Sequence, residues 1–385
     1  MKHAQLIPYP LPSVAYAASG NATTTLRDLP KTLFGRIAHL AGISFEVSFP
    51  VTSGLTLSSG TVTPFEAQNI VNRLEIFDGS VNRFVGNFAS LRMREAYENG
   101  GPARGPEFDA IATTEAAAFM RYWGAGPDRF AGSSDFVIPC AALDNAEVRY
   151  GFGAITDLDA NVTAVVATIT PVAWLMLLDE VRIPPLYEVQ GYTSGATDIN
   201  LTGRALYANL ALAENAAFGA ISALDFANVQ VDTGHGQVVP NVHAAILNQA
   251  YHALNASGQI VVVTGDARAS TVDGPKEINP GTPTALQVQA FRLSPVLWSA
   301  RDQKITKLVA MADSALRVRW SGANTTGYVL SGRILEQNET AVAAMAARAL
   351  NKLGRRDAGI KIKTLSKEPY KGPRSDFMPW SVKLA

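Results

Sequence analysis

Five histidines and one cysteine are the whole supply of imidazole and thiol in this chain for metal, nucleophilic or redox chemistry. The histidines are His3, His39, His235, His243 and His252. His243 and His252 fall on one expected helix, nine residues apart and so about 180° round it, which keeps them from sharing a metal. His235 is a loop histidine flanked by Gly234 and Gly236. No His-x-His, no HExxH and no cysteine pair occurs, so neither a metal nor a cofactor is expected. Cys140 lies in an apolar run, residues 136–143, that suits a buried thiol better than a nucleophile. A lone cysteine excludes an intrachain disulfide and is compatible with a reducing cytoplasm.

Carboxylates give one further option. Asp157 and Asp159 precede the apolar run 160–178, and Asp179 and Glu180 follow it. Paired carboxylates on a β-sandwich could hydrolyse a glycosidic bond, one as acid and the other as nucleophile or base. Such clefts usually add stacked aromatics, and Trp174 is the only one nearby. Strand-end acids that cap turns are the simpler reading. The G-x-S-x-G elbow of a serine hydrolase is absent. The glycines at 124 and 126, and at 151 and 153, lack the third glycine and the helix start that a phosphate loop needs. The chain is not expected to be an enzyme.

Charge is sparse and unevenly placed. Charged residues are 17% of the chain, against about 25% in typical soluble proteins, and 47% are hydrophobic. That balance suits a surface largely covered by other protein. Net charge is zero, so nothing global points to nucleic acid, and no sequence-specific binding to it is expected. Between residues 341 and 385, however, ten basic residues face three acids, a local +7 that the preceding residues offset. Within it Arg355, Arg356, Lys361, Lys363, Lys367, Lys371 and Arg374 form a candidate contact for an anionic membrane or an acidic neighbouring subunit. The opening MKHAQLIPYPLP has no apolar core long enough for a signal peptide. The uncharged run 160–178 contains Pro171 and reads as two consecutive buried strands rather than a membrane span.

The elements that would carry these residues are mostly strands. In residues 44–51 Phe45, Val47, Phe49 and Val51 alternate with Ser44, Glu46 and Ser48, the period of two of a half-buried strand. A polar turn containing Pro64-Phe65 follows. Then Asn69, Asn72 and Arg73 lead into Leu74 and Ile76, and Asp78-Gly79 closes the unit. Further strands are expected at 56–63, 135–141, 146–152, 162–170, 172–178, 228–232, 260–264, 286–293, 304–312, 315–320, 327–335 and 360–362. Helices are expected at 87–99, 106–123, 204–218, 242–256 and 339–353, the last closed by Gly354. The prolines at 184 and 185 mark a reset. There is no short repeat and no regular βαβ alternation, so two antiparallel sandwiches in tandem fit best.

The strand, Pro-Phe turn, Asn-led strand and acidic turn over residues 44–80 resemble the start of a viral jelly roll. They look most like the double jelly-roll major capsid proteins of tailless, membrane-containing icosahedral phages, tectivirus-like. The resemblance covers roughly a tenth of the chain. It implies a mainly β fold of two tandem eight-stranded jelly rolls with helical insertions in long loops. The division would be an N-terminal arm at 1–30, jelly rolls at 31–185 and 186–365, and a basic tail at 366–385. It implies a structural subunit forming pseudo-hexameric homotrimers that tile an icosahedral shell over an internal membrane. Partners would be neighbouring capsomers and penton or minor capsid proteins, and the protein would sit in the virion capsid after assembly in the host cytoplasm. Two other readings stay open. One is a trimeric receptor- or glycan-binding spike, the other a glycan-acting jelly roll using Asp157, Asp159 or Glu180.

Overall fold

The fold is given by a computed structural model. It describes residues 5–50, 53–62, 67–99, 111–115, 118–126 and 136–201. It also describes 205–213, 226–233, 236–243, 259–263, 287–292, 297–298, 305–306, 309–310, 316–322, 327–335, 339–354, 360–362, 365–366 and 381–382.

The main elements of the first half are β1 (Gln5–Pro10), β2 (Asn21–Thr25), β3 (Arg36–Ser48), β4 (Leu55–Val62), β5 (Val71–Phe77), β6 (Asn82–Gly86), α1 (Phe88–Asn99), β7 (Ala118–Gly124), β8 (Glu147–Phe152), β9 (Thr168–Leu178) and β10 (Val181–Ile183). The second half contributes β11 (Leu186–Ser194), β12 (Asp198–Leu201), β13 (Ala205–Ala213), β14 (Phe226–Thr233), β15 (Leu316–Gly322), β16 (Gly327–Leu335), α2 (Glu339–Leu353) and β17 (Ile360–Ile362).

Two sheets enclose the first core. One runs β1-β9-β3-β7 and the other ends in β6-β5-β8-β2, all antiparallel. The alternation read in β3 and β5 points where expected: Phe45, Val47, Phe49, Leu74 and Ile76 are all buried in one cluster. Phe45 lies 5.7 Å from Phe88 of α1 and 6.2 Å from Tyr150 of β8, so the two sheets and the helix meet on this ring. The second core lies between β11-β16-β13 and β12-β15-β14. Leu316, Val318 and Trp320 of β15 point into it, while Arg317 and Arg319 turn out to Asp198 and Asp232.

The two halves share a sheet. β11 pairs antiparallel with β16 and parallel with β6, in register Val189↔Phe84 and Gln190↔Val85. One continuous ladder therefore runs from the second sandwich into the first.

Several expectations are corrected. The stretch 1–30 is not a free arm in its described part. β1 pairs with β9, β2 pairs with β8, and Leu11, Leu26 and Leu29 are buried. Proline content suggested an arm, but Leu11 donates to the Pro171 carbonyl, which turns the N–H groups of odd-numbered β1 residues toward β9. The donors missing at Pro8 and Pro10 therefore face outward, where an edge strand tolerates them. β9 likewise runs straight through Pro171, whose missing N–H faces Leu11 just where β1 has ended. The helix expected at 106–123 is two strands in its described part, Ile111–Glu115 and β7. There Phe119, Arg121 and Trp123 turn inward at period two, and packing overrides the helix preference of the alanines.

The helix expected at 204–218 is the strand β13 in its described part. A bulge between Tyr207 and Asn209 shifts the strand's parity, so the buried residues fall at 205, 207, 210 and 212 and no single period of two runs through the strand. The helix expected at 242–256 lies outside the described residues, except that Val242 and His243 end the strand Gly236–His243. Both helices expected at 87–99 and 339–353 form.

Candidate functional site

The seam between the halves gathers most of the buried charge. β5 ends in the turn at Asp78-Gly79, with Gly79 in the left-handed region at φ +92°. Asp78 Oδ1 accepts from the Ser80 amide (2.8 Å), the Ser80 hydroxyl (2.7 Å) and the Val81 amide (2.9 Å). Its Oδ2 accepts from Arg83 Nε at 2.6 Å, and both side chains are buried. Burial opposes the Asp78 charge, but Arg83 and these donors outweigh it and hold the carboxyl below its ordinary range. Arg83 also reaches the carbonyl of Pro185, at 3.4 Å, on the peptide that crosses into the second half. Across the seam Glu188 of β11 faces Arg333 of β16 at 3.4 Å. Burial raises the Glu188 pKa, with Arg333 and then Arg83 working against that rise.

Helix α1 stitches the seam from above. Asn87 Oδ1 accepts from the Ser90 amide at 2.7 Å, which caps its first turn. The Ser90 hydroxyl meets the hydroxyl of Tyr328, on β16 of the other half, at 2.5 Å. Tyr328 reaches it by lying across Gly191, where an added Cβ would sit 1.6 Å from the tyrosine oxygen. Arg94 donates to the carbonyls of Gly124 (3.0 Å) and Gly126, and its guanidinium lies 5.5 Å from the centre of the Tyr187 ring.

A second tie joins the halves through α2. Its face of Val342, Met345, Ala346 and Ala349 packs on Ile37, Ala141, Ala142, Val181 and Ile183 of the first half. Lys352 pairs with Asp144, and β17 pairs in parallel with β10. His39 is wholly buried nearby. Its Nδ1 donates to the Ile37 carbonyl (3.2 Å) and its Nε2 accepts from the Arg182 amide (3.1 Å). Burial is the main cause that lowers its pKa to about 4.

Of the basic contact residues expected from sequence, Lys361 falls on β17, opposite Arg182. Arg355, Arg356, Lys363, Lys367, Lys371 and Arg374 lie outside the described residues, as do His3, His235 and His252. The acids weighed for glycan hydrolysis are engaged locally. Asp157 accepts from the Ala154 amide (2.7 Å) and Asp159 from the Asn161 amide (2.7 Å). Asp179 pairs with Arg36 (3.1 Å), and Glu180 with Arg182 (3.0 Å). Cys140 is buried, and burial pushes its thiol pKa up. Among the described residues no three His, Cys, Asp or Glu side chains gather for a metal. The seam residues escaped the sequence reading because Asp78, Arg83, Glu188 and Arg333 look like ordinary surface charges until the register pairs them. The Asp-Gly turn was the only local signal.

No family model matches the chain, and no curated protein matches it. Solved structures do. The chain is similar to the MCP of STIV, with TM-score 0.55 and 13% identity over 86% of this chain and 97% of that one. It is similar to a chain in the structure of Sulfolobus Turreted Icosahedral Virus (TM-score 0.56, 12% identity, 90% and 98% covered). It is also similar to a chain of the PBCV-1 virus capsid (TM-score 0.53, 9% identity, 86% and 95% covered). The likeness is one of fold, and that fold is the double jelly roll.

Proposed function

We propose that this chain is the major capsid protein of an icosahedral virus, a structural subunit and not an enzyme. The observation that carries this reading is the match to nearly the full length of chains from icosahedral virus shells, through both sandwiches and the shared sheet that joins them. A shell subunit must keep two sandwiches at one fixed angle under lateral load, and a continuous ladder with a buried ionic seam does this better than a linker. We read the chain as two jelly rolls meeting at residue 185, with residues 5–29 added to the first. Two similar sandwiches per chain give three copies a near-sixfold outline, which packs in hexagonal arrays. The homotrimer would contact neighbouring capsomers and penton or minor capsid proteins, in a virion assembled in the host cytoplasm. The basic end, Arg355, Arg356, Lys361, Lys363, Lys367, Lys371 and Arg374, would face the inner side, toward an anionic membrane. Each cation close to such a surface is worth about 1 kcal/mol, screened by salt.

Light scattering and electron microscopy of the purified chain test the reading. Trimers of hexagonal outline are expected, and a stable monomer at micromolar concentration would overturn it. Deleting residues 366–385 is expected to leave folded trimers that bind anionic liposomes more weakly. Unchanged binding would remove the membrane from the proposal.

A further inference from the structure

The hairpin that opens β3 has Phe34 at its tip. At 80% exposure it is the most exposed large apolar side chain among the described residues. None of the three buried clusters includes it. Its backbone is also unfavourable. Phe34 has φ +51° and Gly35 φ +74°, the two left-handed positions of a two-residue hairpin closed by Leu33↔Arg36. The first of these favours Asn, Asp or Gly, and a bulky aromatic there is an outlier. An aromatic held in a costly backbone state and aimed at solvent does nothing for the monomer's fold.

The same chain carries a receptacle. A groove of about 440 Å³ is lined by Tyr9, Pro10, Leu11, Pro12, Thr25 and Asp28, where β1 leaves β9. It has ample room for a benzyl group. Phe34 cannot fill the groove of its own chain. Its hairpin abuts the Leu178 end of β9, through Ile37↔Leu178, while Pro10 lies beside Val172. Six residues of strand separate the two levels, roughly 20 Å at the ordinary rise. Strand addition at this edge is disfavoured by the outward prolines Pro8 and Pro10. The charges nearest Phe34 in the hairpin are Arg36, paired with Asp179, and the exposed Lys31, a mixed polar rim round an aromatic anchor of the kind protein contacts use.

We propose that Phe34 of one copy seats in the groove at residues 9–12 of a neighbouring copy, a head-to-tail contact that can close into a ring. The proposal rests on the reading that copies of this chain assemble. The test places a photoreactive benzoylphenylalanine at position 34 of the full chain and maps the adducts by mass spectrometry. Crosslinks from 34 to residues 9–12 or 25–28 of a second copy are expected. Crosslinks from 34 to 34, to another surface, to added lipid or to nothing would overturn the contact. In parallel, Phe34→Gly and Phe34→Asn, which both suit a left-handed turn, should fold like the parent and associate at least tenfold more weakly by sedimentation velocity. Phe34→Trp should retain association. Parent-like association of the Gly and Asn variants, or loss of folding in both, would overturn the proposal while leaving the capsid reading standing. A parent chain that never associates would overturn both.

Discussion

Single residues at the seam decide whether the two sandwiches behave as one body. Gly191 is a backbone residue whose role is to be absent: any Cβ there would collide with the Tyr328 hydroxyl. Gly191→Ala should therefore cost about 1–3 kcal/mol from overpacking alone, and the bond from Tyr328 to Ser90 should go with it. Urea denaturation checks this, and a loss under about 0.5 kcal/mol would mean that Tyr328 has another place to go. Asp78 is the opposite case, a charge that must be present. Asp78→Asn leaves Arg83 buried without its counter-ion, and breaking a buried pair in this way costs about 3–5 kcal/mol. The double variant Asp78→Asn with Arg83→Met should be milder than Asp78→Asn alone, because no orphaned charge remains. A double variant as unstable as the sum of its parts would show that the two side chains act separately.

At the scale of elements, legibility followed period. β15 buries every second residue through Trp320, the end of β3 does the same at Phe45, Val47 and, just beyond it, Phe49, and α2 buries one stripe, so all three were readable from the sequence. β13 was not, because its bulge breaks the period of two, and β7 was not, because its alternation includes a buried arginine. The candidate seam was scarcely legible at all. Its partners lie up to 238 residues apart in the chain, and only the fold joins them. The clamp of α2 and β17 on the first half has the same character, and it gives a pH prediction through His39. The ring's ordinary pKa is about 6.5, and in the folded protein burial first, then Arg182, hold it near 4 despite hydrogen bonding to Ile37. Above pH 6.5 the ring is neutral in both states and costs nothing. As pH falls from 6.5 to 4 the unfolded chain takes up a proton that the folded chain refuses, so stability falls by up to about 3 kcal/mol at about 1.4 kcal/mol per unit. Chevron or equilibrium unfolding at pH 7 and pH 4.5 should show this loss in the parent and much less of it in His39→Gln. Equal pH slopes for the two proteins would assign the acid sensitivity to other groups.

For the whole molecule the question is whether two jelly rolls make one cooperative unit. Chains of this length usually unfold domain by domain, and two separate cores would favour two transitions. Three ties work against separation here. The ladder runs unbroken through β6 and β11, the ionic pairs Asp78–Arg83 and Glu188–Arg333 sit beside that crossing, and α2 with β17 closes the second half back onto the first. Opening the seam would expose Tyr187, Val189, Tyr328 and Leu330, which belong to the first core although they stand on second-half strands. The halves thus share apolar burial as well as hydrogen bonds, and neither can unfold without stripping the other. Calorimetry of the parent chain should accordingly show one main transition, with a van't Hoff enthalpy close to the calorimetric value. Asp78→Asn should split or broaden it by loosening the crossing while both cores stay packed. Two well-separated transitions in the parent protein would mean that the seam is a contact between independent bodies, and that the angle between the sandwiches is set by neighbouring copies rather than within the chain.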